Sequence, residues 1–386
     1  MVVEQERVET SPACGGTSLR LVKRSRGRVV QVESLEELDR RVAAGATRLS
    51  GWRVRHVDLS ARSGELARLQ VAGATFLGCT FAAGDAERLE RAGALVLPAL
   101  TIAPVDVYRS TLYTAGELYD VMPYAESLDG RAYAWSQTPG SADDALAQSL
   151  HDHAIDEALS AWIRRKHLVG VMGGHTTLRG DADYADAARL GHALGAQHVV
   201  ATGGGPGAME AASLGCLLAR SPVTAVTDAV AALSEVPSFR PSVDDWLRPA
   251  LSVRAGVADP HDSLSIPTWH YGHEPSHVFA TAIAKYFRNA VREAILLEIC
   301  DAGVVFLPGA AGTVQEVFQD ACENYYADES SVAEMVLVGR TYWTETLPAW
   351  PLLESLSRGR PMEDRVHLTD TVDEAAALMD QATSSR

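Results

Sequence analysis

From residue 168 to the C-terminus, short apolar runs alternate with helical stretches, and no other feature of the chain restricts its fold as strongly. Leu168–Met172, His198–Ala201, Ser263–Trp269, Val304–Leu307, Met335–Val338 and Val366–Leu368 read as strands. Between and after them, Tyr184–Leu194, Pro206 to about Ala219, His277–Cys300, Thr313 to about Tyr325, Leu347–Leu356 and Asp373–Gln381 read as helices, with a helical insertion over 223–251. Continuous apolar strands separated by helices predict a parallel sheet covered on both faces. Ligands of such sheets sit beyond the C-terminal strand ends.

The expected fold class is therefore α/β: a doubly wound, Rossmann-like parallel sheet. Residues 106–166 form its helical lead-in, in which Gln137–Ala142 is turn-rich and Ala154–Lys166 is an amphipathic helix. Upstream, residues 1 to about 25 are polar, Leu35–Ala44 reads as a short helix, and Leu49–Val54, Leu69–Val71, Ala74–Phe76 and Leu95–Leu97 are brief apolar stretches. Thr75-Phe76 is echoed at Thr80-Phe81, but two copies do not make a repeat. The expected division is a small N-terminal α/β module over 1–105 and a large domain over 106–386.

A formal net charge of −16 disfavours a nucleic acid polymer as partner, so an anionic ligand must be held by local features. No apolar run reaches the roughly 18 residues of a membrane span. The N-terminus has no apolar signal core, so no membrane partner and a cytoplasmic location are expected. Five cysteines without a CxxC pair read as reduced core thiols.

Two turns carry the candidate chemistry. In Thr202-Gly-Gly-Gly-Pro-Gly-Ala-Met-Glu210, the glycines Gly203, Gly204, Gly205 and Gly207 leave the backbone bare after a strand. Pro206 suits a first helical position, and the N–H groups that follow it face an anion in the cleft. Leu307-Pro-Gly-Ala-Ala-Gly-Thr-Val-Gln-Glu316 repeats that logic. Thr313 and Glu316 also have the spacing of a capping box, a purely structural use of the glutamate. Lys285, Arg288 and Arg292, at spacings of three and four, read as one basic helix face that brings Arg292 toward the cleft. Gly203-x-Gly205-x-x-Ala208 matches a dinucleotide fingerprint only formally, because Asp228, the acid 25 residues beyond Gly203, lies in a predicted helix and not at the end of a next strand.

With these residues in place, Asp301 to Glu316, preceded by Arg292, resembles the PGGxGTxxE signature of the LOG (Lonely Guy) family, as does Thr202 to Ala212. Gly173-Gly174-His175-Thr176 is similar to the first turn of that family's longer bacterial nucleotide 5′-monophosphate nucleosidases. The resemblance covers about residues 165–340. It implies hydrolysis of the N-glycosidic bond of a nucleoside 5′-monophosphate to free base and ribose 5-phosphate, without metal or other cofactor. It also implies a homodimer or higher homo-oligomer. Arg292 and Glu316 fall on the family's catalytic positions, and Gly309, Gly312 and Thr313 on its phosphate loop. Ala310, Ala311, Gly174, His175, Gly203, Gly204, Gly205, Gly207, Met209, Glu210 and Arg288 are expected around the substrate.

Two positions depart from the family's pattern: Ala310 stands for its second glycine and Gln315 replaces the first acid of its usual Glu-Glu pair, while Ala311 fills its variable position. The family's older label, lysine decarboxylase, does not suit this chain, whose three lysines (Lys23, Lys166 and Lys285) lack a Schiff-base context. His261, His270, His273 and His277 lie close in sequence without a helical HxxxH, so they read as part of a loop over the site. Trp269 or Tyr271 is then expected against the base. The competing reading is a non-catalytic nucleotide-binding or carrier protein on the same fold. A nicotinamide oxidoreductase ranks below both.

Overall fold

The computed structural model describes residues 29–138, 140–270 and 274–384. The N-terminal polar segment, Cys14, Tyr271 and His273 lie outside them. The chain divides into two compact units, Met1–Ala99 and Leu100–Arg386.

In the first unit, β1 (Val30–Val32), α1 (Leu35–Ala43), β2 (Trp52–Arg55), α2 (Ser63–Leu66), β3 (Thr75–Leu77), α3 (Asp85–Arg91) and β4 (Leu95–Leu97) follow one another. The strands pair in sequence order and all in parallel. Val30 aligns with Trp52, Arg53 with Thr75, and Thr75 with Leu95, offsets of 22, 22 and 20 residues. Gly51, Gly73 and Gly93 close successive coils with φ of 78°, 78° and 91°, a region open chiefly to glycine. The N–H of Gly51 donates to Gly73 O and that of Gly73 to Gly93 O, both at 2.9 Å. Val32, Val54 and Phe76 stack at equivalent positions, fully buried. This is a short solenoid, in which each coil buries its apolar face only against the next. Its period is 20–22 residues, not the five of the Thr-Phe echo.

The second unit opens with α4 (Ala115–Leu118), α5 (Leu128–Gln137) and α6 (Ala142–Trp162). Then come β5 (Leu168–Met172), α7 (Ala182–Leu194), β6 (Val199–Thr202), α8 (Ala208–Leu217), α9 (Val223–Ser234), α10 (Val243–Ala255), β7 (Ser263–Ser265) and β8 (Ala282–Ile283). The chain ends with α11 (Asn289–Glu298), β9 (Gly303–Phe306), α12 (Ala311–Tyr326), β10 (Glu334–Val338), α13 (Trp350–Ser357), β11 (Val366–Thr369) and α14 (Val372–Ser384). The seven-stranded sheet has the order β11-β10-β9-β5-β6-β7-β8, and all its neighbours are parallel. Every residue of β5, β6, β9 and β10 is buried, as a sheet covered on both faces requires. The expected Rossmann-like, doubly wound fold is the one observed. The chain winds outward from β5 to β8, then returns to β9 on the other side of β5. The crevice between the C-terminal ends of β5 and β9 is therefore the topological switch point, where such sheets bind ligands.

Several boundaries differ from expectation. His277–Cys300 is not one helix: its first half includes β8, and α11 begins only at Asn289. Val278 to Phe287 is buried apart from Thr281, so it shows no helical periodicity to tell helix from buried strand. The lead-in caps that sheet edge, with Tyr113 and Ile283 exchanging backbone hydrogen bonds at 2.9 and 2.8 Å. Leu296 and Ile299 on α11 are buried in the unit's own core. Among the described residues, no helix is long and apolar enough to cross a membrane.

Candidate functional site

Three turns meet at the switch point. The N–H of Gly174, after β5, donates to Pro308 O, after β9, at 3.0 Å. Gly174 O accepts from Ala208 N–H, at the start of α8, at 3.1 Å. A side chain at Gly309 would overlap Thr313, and its Cβ would lie 3.1 Å from the Gly174 nitrogen. The Tyr342 hydroxyl donates to Gly309 O at 2.8 Å and holds the turn from behind.

The helix starts above these turns differ. α12 begins at Ala311 with Ala310 as N-cap and no side-chain cap, so Thr313 is not the cap and the expected Thr313–Glu316 capping box is absent. The first-turn N–H groups of Ala311, Gly312 and Thr313 have no partner within the helix. Ala310, Ala311 and Gly312 are exposed, and a Cβ on Gly312 would meet nothing within 4 Å. Ala310 has φ −90°, so the position does not demand the left-handed backbone that favours glycine. α8 starts at Ala208, not at Pro206, because Gly207 (φ 74°) turns the chain tightly against Gly174 O and His175. Glu210 is buried and paired with Arg179, which also donates to Trp246 O at 2.8 Å. Its carboxylate is thus committed beneath the turn.

Gly203 and Gly204 are required by close neighbours. A Cβ on Gly203 would come within 3.0 Å of Met209 Sδ and 3.1 Å of Arg292 Nη1. On Gly204 (φ 78°) it would press on Pro267 at 3.0 Å. Gly205 faces the end of Met209. His277 supports this turn from below: its N–H donates to Gly204 O at 3.0 Å, and its Nε2 lies 3.0 Å from Ser265 Oγ. Burial pushes His277 down to about 3, so the ring is neutral.

Arg292, 9% exposed, reaches the first turn from α11. Its Nε donates to Asn289 Oδ1 at 3.0 Å and its Nη2 to Glu293 Oε1 at 3.2 Å. Glu316 stands partly buried on α12. Its carboxyl is pushed up to about 7 by burial, against the pull of Arg292 and with a further push from Glu293. Among the described residues nothing donates a hydrogen bond to it.

Sequence reasoning missed what orients α11. Asp152 of α6 accepts the N–H groups of Phe287 and Arg288, both at 3.0 Å, just before the helix begins. His151 holds the same carboxylate at 3.1 Å and meets the Tyr113 hydroxyl at 2.9 Å. An Asp in a lead-in helix, more than a hundred residues upstream, carries no local signal of that task.

Other expected residues have other partners. Arg288 is exposed and bonds Ser149 Oγ at 2.8 Å. Lys285 is no part of a solvated basic face: it is buried against Asp129 at 2.6 Å and Ser276 Oγ at 2.7 Å. Trp269 is buried, and its indole N–H donates to Asp129 at 2.9 Å, so it does not face a base. His175 is half-exposed, 3.6 Å from Glu274. His261 lies by Cys216, its Nδ1 3.6 Å from the thiol sulfur. Cys216 and Cys300 are core thiols as expected, Cys79 is half-buried and Cys322 is exposed.

No family model and no curated protein matches the chain. Among solved structures, the molybdenum cofactor binding protein from the phototrophic bacterium Rippkaea orientalis is similar to it at 19% identity and TM-score 0.35. That similarity covers 56% of this chain and 97% of that protein. Two structures of the molybdenum cofactor carrier protein from Chlamydomonas reinhardtii are similar at 17% and 18% identity, each with TM-score 0.36. They cover 57% of this chain and 99% and 100% of theirs.

Proposed function

We propose that the second unit binds a small phosphorylated ligand at the switch point and hydrolyses the N-glycosidic bond of a nucleoside 5′-monophosphate. The observation that carries this reading is the pair Arg292–Glu316. The arginine is seated on the first glycine turn, and the glutamate has an unbonded, up-shifted carboxyl. The phosphate is assigned to the open N–H groups of Ala311, Gly312 and Thr313, where the helix dipole favours an anion. Arg292 supplies a guanidinium for phosphate or sugar hydroxyls. As the C1′–N bond breaks, positive charge grows on the ribose. The Glu316 carboxylate stabilises that charge and orients the water whose oxygen bonds to C1′. The water's proton leaves by way of Glu316, and the base departs with the bonding electron pair. The neighbouring helix N-terminus holds the phosphate and so contributes remote binding energy.

A panel of nucleoside 5′-monophosphates, assayed for free base by chromatography, tests the reading. At least one should be cleaved, and its unphosphorylated nucleoside far more slowly. Equal kcat/KM for the two removes the phosphate's role. The homo-oligomer that the family resemblance implies belongs to the same proposal, and light scattering at micromolar concentration measures it.

One observation favours a second reading, a non-catalytic carrier. The signature's first acid is Gln315, so α12 brings one carboxylate to the site instead of two. Tight binding without base release across the panel would select the carrier. The binding assay should include the molybdenum cofactor, the ligand named for the structural neighbours.

A further inference from the structure

Gln315 is not a simple loss of charge. Its Nε2 donates to Glu293 Oε2 at 2.9 Å, across from α12 to α11. The other oxygen, Oε1, accepts from Asn289 Nδ2 at 2.7 Å and from Arg292 Nη2 at 3.2 Å. Glu293 is thus a hub for three donors from two helices, its side chain only 14% exposed. The chemistry of the set is one-directional. Asn289, Arg292 and Gln315 all present N–H groups, and only a carboxylate at the centre accepts from all of them. A glutamate at 315 would set two carboxylates against each other. A glutamine at 293 keeps one acceptor oxygen for Asn289 and Arg292 but turns its amide N–H toward Gln315, and it takes the negative charge away from Arg292.

We propose that Glu293 supplies from α11 the second carboxylate that Gln315 withholds from α12, and that it is the positioning residue for Arg292. Held by Glu293 and by Asn289 Oδ1, the guanidinium keeps its place on Gly203, with its Nη1 unbonded among the described residues. Residues 293 and 315 then form a matched pair that tolerates exchange of their charges but not the change of one alone.

The catalytic arm of the test rests on the hydrolase reading, and the binding and melting arms do not. The full-length protein is compared with Glu293→Gln, Gln315→Glu and the exchange Glu293→Gln/Gln315→Glu. Melting temperature, the affinity for inorganic phosphate, and kcat and KM on the best monophosphate are measured. Each single variant should lose on the order of 10- to 100-fold in kcat/KM, mainly in kcat, as expected when a reacting group is displaced by about an ångström. The exchange should recover most of that loss in turnover and in melting temperature, which a site of independent residues would not. If the exchange is as impaired as the two singles combined, or Glu293→Gln matches the wild type, the proposal is overturned. If the wild type releases no base, the hydrolase reading fails by itself. Recovery or additivity in melting temperature and phosphate affinity then decides the Glu293–Gln315 pair.

Discussion

The starts of α8 and α12 look alike in sequence, each a run of small residues between an apolar strand and a helix, yet the fold uses them in opposite ways. At α8, Ala208 N–H is taken by Gly174 O, and Glu210 is locked beneath the surface by Arg179. At α12, Ala310, Ala311 and Gly312 are exposed, the first-turn N–H groups have no partner within the helix, and no hydrogen bond reaches Glu316 among the described residues. One turn is structural cement for the crevice, and the other is the wall to which the proposed ligand is assigned. Glycine content reports only that a backbone must pass close to something. Whether that something is protein or ligand is set by what the tertiary structure brings alongside.

The largest expected effect is on the cement. Glu210→Gln keeps the volume but leaves the buried Arg179 uncompensated, which should cost about 3–5 kcal/mol of stability. Denaturant unfolding measures the loss, and the fraction that remains folded should bind phosphate normally. A variant as stable as the wild type would mean that the Arg179–Glu210 pair does not hold α8 in place.

On the ligand-facing wall, Glu316→Gln should lower kcat/KM by about 10²-fold, the scale for a positioned acid–base group. No capping bond is lost, so stability should not fall with it. The stability difference between the variant and the wild type should instead depend on pH, with a known sign. Glu316 titrates near 7 in the folded protein and at the ordinary glutamate value of 4.5 when unfolded. The folded state holds the proton more tightly, so the wild type loses stability as pH rises from 4.5 through about 7. The glutamine variant escapes that loss. Its melting temperature relative to wild type should rise between pH 5 and pH 8, and a flat difference would show that the carboxyl is not desolvated.

The smallest expected change separates room for a ligand from room for protein. A Cβ at position 312 touches nothing, so Gly312→Ala should alter stability by less than about 1 kcal/mol, within the range of helix propensity. The methyl should still crowd a bound phosphate and raise KM with kcat kept. An unchanged KM would place the phosphate elsewhere.

The alternation of elements, the parallel sheet and the three glycine turns were readable because each leaves a local pattern, a buried strand or a helix start. The Val278–Phe287 segment was misread because burial on all sides erases periodicity. The solenoid was missed although its marks are in the sequence: Gly51, Gly73 and Gly93, with Val32, Val54 and Phe76 in step. A period of 20–22 residues with mostly dissimilar side chains is visible only when the strands are stacked.

What the sequence determined by itself was the class of fold and the identity of the groups near the crevice, since strand hydrophobicity, turn residues and the order of motifs are local properties. Tertiary structure decided which helix start stays open, that Asp152 orients α11, and that Gln315 answers Glu293 across two helices. Those outcomes depend on residues distant in the chain meeting at hydrogen-bond range, and the sheet's return from β8 to β9 is what brings them there.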